Sequence, residues 1–262
     1  MIGTAALLLL VASCSGAPHQ PHLARPATPR VCGYLYQPCH DLEKPILLPA
    51  RDYQPQPGDV LIMSNTNLAW SVLYKLAFTG KPGHASVVVR LPCGRPGILE
   101  AGMHDSLWTN CVPAEERLNS YQGTIWIRRR KAPLTECENR RLTEFAEFAR
   151  GNRYNVLGLG RQITPFRTRG PIRTYFVGHP RGPGHKYFCA EAVLEALVYA
   201  GLLDADTTRP SATYPKDLFF DNSPNLYIKK HPPLACGWET PSLWTTDVGS
   251  NASGKERGGK SP

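Results

Sequence analysis

No run of apolar residues in this chain approaches the roughly 18 to 20 needed to cross a bilayer, so no helical membrane span is expected. No segment interleaves basic and aromatic residues as a nucleic-acid platform does, so the formal net charge of +9 does not point to nucleic acid as a partner. There is no internal repeat. Gly182-Pro183-Gly184 is too short for a phosphate loop and no Lys-Ser pair follows it. No second Cys or His pair accompanies His179, His185 and Cys189, and the Pro and Gly residues between them fix no ligand geometry, so a zinc site is not expected. What is present is ordinary for a folded domain: 262 residues, 42% hydrophobic and 19% charged, which excludes wholesale disorder. The 23 glycines and 25 prolines imply long irregular connections rather than a helical bundle. Eight cysteines are many for a cytosolic enzyme of this size and usual for an exported one.

The N-terminal residues point to export. Ala5 to Ala12 is an apolar stretch of signal-peptide size, followed by Ser13, Cys14 and then polar, Pro-rich sequence. Val11-Ala12-Ser13-Cys14 resembles the bacterial lipobox, which implies lipidation of Cys14 and an envelope protein held to a membrane by its N-terminus. No Lys or Arg precedes the apolar run, which departs from that pattern and leaves the true start open. Residues 1–14 are therefore expected as a lipoprotein-type signal segment and 15–50 as a Pro-rich tether. Residues 51–236 are expected as one domain, and 237–262, rich in Gly, Ser and Lys towards the end, as a mostly disordered tail.

Within 51–236 the class is α+β. Gly58-Asp59 opens a strand over Val60 to Met63, and Asn65-Thr66-Asn67 can cap a helix running to about Phe78. The β-branched run from His84 to Leu91 predicts a buried strand, returned through a turn at Pro92 to Gly97 as a second strand over Ile98 to Ala101. Thr124 to Arg130 is a third candidate strand, with Arg128-Arg129-Arg130-Lys131 as its solvated end. Thr135 and Glu138 form a capping box ahead of a Leu142, Phe145, Phe148 stripe that stops at Gly151. Cys189 begins another helix, with Val193, Ala196, Leu197 and Ala200 on one face and Gly201 as its stop.

Chemistry gathers at Cys189, His84 and Glu100. The N-terminal turn of a helix stabilises a thiolate through unpaired N–H groups and the macrodipole, and Cys189 stands at such a position. His84 follows Gly83, where no side chain blocks approach to a neighbouring element, and a histidine distant in sequence can serve a thiol as general base. A third group must hold the imidazole in its working tautomer, and Glu100 on the returning strand is the candidate. Direct pairing of His84 with Glu100 puts the hairpin midpoint at Pro92, whereas the turn residues centre nearer Gly94. Simple symmetry would bring His104 opposite His84, so His104 and Asp105 stand as rival orienters.

Gly58-Asp59-Val60, Gly83-His84-Ala85-Ser86-Val87-Val88, Ile98-Leu99-Glu100-Ala101 and Tyr187-Phe188-Cys189-Ala190-Glu191 together resemble the successive motifs of the permuted papain-like hydrolases. The branch is the YiiX/YebB-like one of the NlpC-type superfamily. Arg153-Tyr154-Asn155 and Tyr214-Pro215-Lys216-Asp217-Leu218 are similar to weaker motifs of the family, and the match spans roughly residues 55 to 220. Ala190 stands where many relatives have serine. The resemblance implies a circularly permuted papain-like fold, an antiparallel sheet packed on helices. It also implies Cys189 as nucleophile, His84 as base and Glu100 as the polar third residue, with no metal or organic cofactor.

The expected function is an envelope cysteine hydrolase acting through an acyl-enzyme on an amide bond of cell-wall peptides. The alternatives are a lipid acyl hydrolase or acyltransferase of the same fold, or a non-catalytic envelope binding module. Eight cations and no acidic residue lie between Glu147 and Glu191, which makes Arg167, Arg169 and Arg173 candidates for attracting an anionic substrate. The six cysteines other than Cys14 and Cys189 form an even set, most of which are expected to pair. Six allow about 15 connectivities, among which the sequence does not choose, and Cys93 with Cys111, closing the loop that carries Glu100, is the favoured pair.

Overall fold

A computed structural model of the chain describes residues 31–36, 38–40, 45–47, 50–65, 81–102, 107–162 and 164–246. The signal segment with Cys14, the helix expected after Asn65, the rivals His104 and Asp105, and the tail beyond 246 lie outside the described residues. Ten strands are described: β1 Tyr34–Tyr36, β2 Pro38–His40, β3 Pro45–Leu47, β4 Arg51–Asp52, β5 Val60–Asn65, β6 His84–Arg90, β7 Pro96–Ala101, β8 Thr109–Pro113, β9 Gly123–Arg128 and β10 Ser242–Thr245. The helices are α1 Ala114–Ser120, α2 Glu136–Ala149, α3 Val156–Arg161, α4 Arg173–Phe176, α5 Cys189–Tyr199, α6 Pro215–Phe220 and α7 Leu226–Lys230. Eight strands form one antiparallel sheet in the order β4-β1-β10-β9-β5-β6-β7-β8, and β2 pairs with β3 separately. The class is α+β, as the interspersed helical and strand patterns imply.

Apolar side chains cover both faces of the central strands, which is why β5 and β6 read as continuous apolar runs rather than alternating ones. On one face Val60, Ile62, Ala85, Val87, Val89 and Leu99 pack against Leu142, Phe145 and Ala146 of α2 and Val193, Leu194 and Leu197 of α5. On the other, Leu61, Met63, Val88, Ile98 and Ile127 pack with Tyr53 and with Ala114 and Leu118 of α1. Asp59, fully buried at the entry to β5, accepts from Tyr53 Oη at 3.0 Å, Gln56 N at 3.2 Å and Arg130 N at 2.8 Å. Burial pushes its carboxyl up to about 6 against those donors, so it acts as the pin that joins the start of β5 to the end of β9.

The capping box of α2 is present in full. Glu138 N donates to Thr135 Oγ1 at 3.3 Å, and Thr135 N donates to the Glu138 carboxylate at 2.7 Å. Thr135→Ala is expected to cost about 1 kcal/mol by urea unfolding, with no change in any activity; an unchanged midpoint would mean the cap contributes nothing. The buried face of α2 is Leu142, Phe145, Ala146 and Ala149, an i, i+3, i+4, i+7 set, and Phe148 points to solvent instead of completing the stripe.

Several sequence expectations are corrected. Arg128 is not part of a solvated strand end: it is buried and donates to Leu218 O at 2.9 Å, Leu234 O at 3.2 Å and Glu239 O at 3.0 Å, with Asp221 Oδ1 at 2.6 Å. Cys93 and Cys111 are not joined. Cys93 is exposed in the β6–β7 turn, whereas Cys111 faces the core, its Sγ 3.8 Å from Ala146 O and its thiol pushed up to about 11 by burial. The sheet also reaches past residues 51–236 at both ends, because β1 and β10 pair with each other and β10 continues onto β9. Strands of three and four residues are too short to show a hydrophobic period. Trp238 and Trp244 fix this edge, donating from Nε1 to Gly58 O and Cys32 O, each at 2.7 Å.

Candidate functional site

Phe188 is extended and Cys189 is the first residue of α5, so its N–H belongs to the turn that has no intrahelical acceptor. Glu191, two residues on, turns back to accept from Phe188 N at 3.2 Å and fixes the entry of the chain into the helix. Helix α5 packs on β6, which brings the Cys189 thiol to the first residues of that strand: its Sγ lies 3.8 Å from Gly83 O, next to His84. Both side chains are nearly closed to solvent.

The register of the β6–β7 hairpin decides which group meets His84 from the other side. Val87 faces Leu99 and Val88 faces Ile98. Carried one pair further, Ser86 faces Glu100, which makes His84 and Glu100 diagonal neighbours on one face of the sheet. Neither sequence-derived midpoint describes this arrangement, yet the diagonal is within reach: His84 Nε2 is 3.4 Å from Glu100 Oε2. Burial alone would lower the His84 pKa, but hydrogen bonds to Cys189 and Glu100 outweigh it and raise it from 6.5 to about 9. Burial would likewise raise Glu100, and the partnership with His84 and Arg117 holds it below the usual carboxylate range. The histidine's contribution to stability is therefore complete below pH 6.5 and is lost as pH rises through about 9.

Sequence reasoning missed Arg117. On α1 it lies across the Tyr121 ring and places Nε 3.0 Å and 3.1 Å from the two Glu100 oxygens, so one carboxylate is held between a guanidinium and an imidazole. A seven-residue helix with one strongly apolar buried position, Leu118, gives no periodic signal from which this contact could be read. Sequence reasoning also missed the acidic support behind Cys189. Arg181 pairs with Glu191 at 2.8 Å, and the Glu195 carboxylate accepts from the backbone N–H of Arg181 and Gly182 at 2.9 to 3.0 Å. Burial pushes Glu191 up to about 7. These contacts tie the loop before Cys189 to the helix after it.

The arginine loop is placed differently from the sequence expectation. Arg169 is buried, pairs with Asp217, and donates to Ser223 Oγ at 2.7 Å and Ala212 O at 3.0 Å while stacking on Tyr214. Arg173 donates to Pro165 O at 2.9 Å and Arg167 O at 3.0 Å, closing its own loop. Arg169 is thus a structural tie, its guanidinium committed to Asp217, Ser223 and Ala212, and its residue also borders the groove that Arg167 and Arg173 line. Only Arg167 and Arg173 retain exposure along a shallow groove with Thr164, Pro165 and Ile172. A separate groove of about 350 Å³ runs beside the start of α5, lined by Leu107, Trp108, Arg153, Asn155, Leu157 and Lys186. Asn155 couples it to the site, donating from its backbone N to Tyr187 O at 3.0 Å. Among the described residues, no three His, Cys, Asp or Glu side chains gather as a metal-ligand set.

No protein-family model matches the chain, and no curated protein matches it by sequence. Among solved structures, the chain is similar to the DUF1105 metalloprotein YiiX of Escherichia coli O157:H7, at 17% identity over 56% of this chain and 67% of that one, with a TM-score of 0.39.

Proposed function

We propose that the chain is a cysteine hydrolase of permuted papain-like build, anchored in the bacterial cell envelope through lipidated Cys14 and acting on amide bonds of cell-wall peptides. The observation that carries this reading is the placement of His84 between the Cys189 thiol and the Glu100 carboxylate, at the first turn of a buried helix. Cys189 attacks the carbonyl carbon from the pair in which its proton already rests on His84, and the C=O electrons move onto the oxygen. The developing oxyanion meets the Cys189 backbone N–H. Collapse of the tetrahedral adduct breaks the C–N bond, and the leaving amine takes the proton from His84. Water then attacks the acyl-enzyme with His84 as base, releasing the acid and restoring the thiol. Glu100, held by Arg117, orients the ring and stabilises its charged form throughout.

A substrate-like acylating probe at low concentration is expected to modify Cys189 ahead of the exposed Cys93, Cys137 and Cys236, as read by peptide mass spectrometry. Equal or preferential labelling of those three would return the fold to a binding module. Isolated peptidoglycan set against phospholipid vesicles then separates amide from ester substrates. Turnover is expected to fall as pH rises past about 9, where His84 loses the proton it must deliver to the leaving group.

A further inference from the structure

Between α3 and the residue after α4 the chain carries apolar side chains that nothing in the fold covers. Leu157 is 88% exposed, Phe176 74%, Ile172 72% and Phe166 69%. They are not scattered tips on a loose strand. Arg161 Nε donates to Phe166 O at 2.8 Å, Arg173 clamps Pro165 O and Arg167 O, and Arg209 Nε donates to Thr174 O at 3.1 Å. Buried Arg169 fastens the middle of the segment to Asp217 and Ser223. A braced segment that holds four large apolar groups in water is the mark of a surface meant to be covered.

Charge decides by what. The stretch from 148 to 190 contains eight Lys and Arg residues and no Asp or Glu. Arg169 is committed to Asp217 and Arg181 to Glu191, and Arg150, Arg153, Arg161, Arg167, Arg173 and Lys186 keep solvent exposure. A second copy of the same face would bring like charges together. An anionic bilayer suits it on both counts: apolar tips enter the acyl boundary while the exposed arginines and Lys186 remain at headgroup depth. We infer that Leu157, Phe166, Ile172 and Phe176, with the cations around them, form a docking surface for a bilayer bearing anionic lipid. Leu157 also lines the groove that runs past Lys186 beside the start of α5, so docking would set that groove at the lipid surface. The inference rests on the surface alone and not on the hydrolase reading.

The test uses the full chain with phosphatidylcholine vesicles, alone or with about one third phosphatidylglycerol. Backbone hydrogen exchange over residues 156–177 is expected to slow with the anionic vesicles only, and the protection to vanish at about 1 M salt, where the Debye length is about 3 Å. Leu157→Ser, Phe166→Ser, Ile172→Ser and Phe176→Ser combined should weaken association with anionic vesicles about tenfold or more. Labelling of Cys189 by a small soluble probe should stay at the wild-type level, which separates loss of docking from loss of the site. Unchanged exchange in the wild-type segment would overturn the inference. So would slowing by neutral and anionic vesicles alike, or a lipid-free dimer that already protects the segment.

Discussion

Cys189→Ser is expected to lower turnover by about 10³-fold or more while leaving the fold intact. The two side chains differ by one atom, and the position is held by the helix and by the Glu191 contact to Phe188 N, neither of which involves the thiol. What changes is the nucleophile: a serine hydroxyl in the same place needs a far stronger base to attack. His84→Ala should reduce turnover comparably, since it removes both the base for attack and the acid for departure. Glu100→Gln should be milder, because the amide oxygen can still accept a hydrogen bond from the imidazole N–H though it no longer balances the ring's charge. Its distinguishing sign is a downward shift of the alkaline limb of the pH profile, since Glu100 is one of the two partners that hold His84 near 9. Wild-type turnover by purified Cys189→Ser on a substrate that the wild type hydrolyses would remove the proposed mechanism outright.

The parts of this arrangement that were legible in sequence are those set by local physics. Thr135 and Glu138 announce a cap, Gly83-His84 opens a doubly buried β-branched run, and Cys189 begins a helix whose apolar face ends at Gly201. Each signal lies within a window of a dozen residues. The relation between His84 and Glu100 was only half legible. The hairpin was plain, but a five-residue connection does not fix register, and a shift of two residues separates a direct from a diagonal pair. Arg117, Arg128 and Arg169 were illegible as structural groups for a common reason. A cation reads as solvated unless its acceptors are known, and theirs are supplied by the tertiary fold. Arg128 takes carbonyls 90 to 111 residues away, and Arg169 a carboxylate 48 residues away. The same blindness hid the exposed apolar groups around α3 and α4, because exposure is a property of what the rest of the chain fails to cover.

Arg169 gives the second large effect, and it separates two readings of the basic loop. Were it a substrate contact, replacing it would weaken binding and leave stability alone. Its guanidinium instead meets both oxygens of Asp217, one of them at 3.0 Å, together with Ser223 and the Ala212 carbonyl, all out of solvent. Arg169→Met keeps much of the volume but leaves the Asp217 carboxylate buried with Tyr214 N, at 2.8 Å, as its remaining partner. Removing one member of a buried pair costs about 3 to 5 kcal/mol, because the survivor has lost both its water and its counter-charge. Removing both costs much less, so Arg169→Met with Asp217→Leu is expected to recover a good part of the loss, with a coupling of about 1 to 3 kcal/mol between the two sites. Urea unfolding of the wild type, both single variants and the double variant measures the cycle. A midpoint for Arg169→Met within about 1 kcal/mol of wild type, accompanied by a raised KM, would hand this arginine back to the substrate.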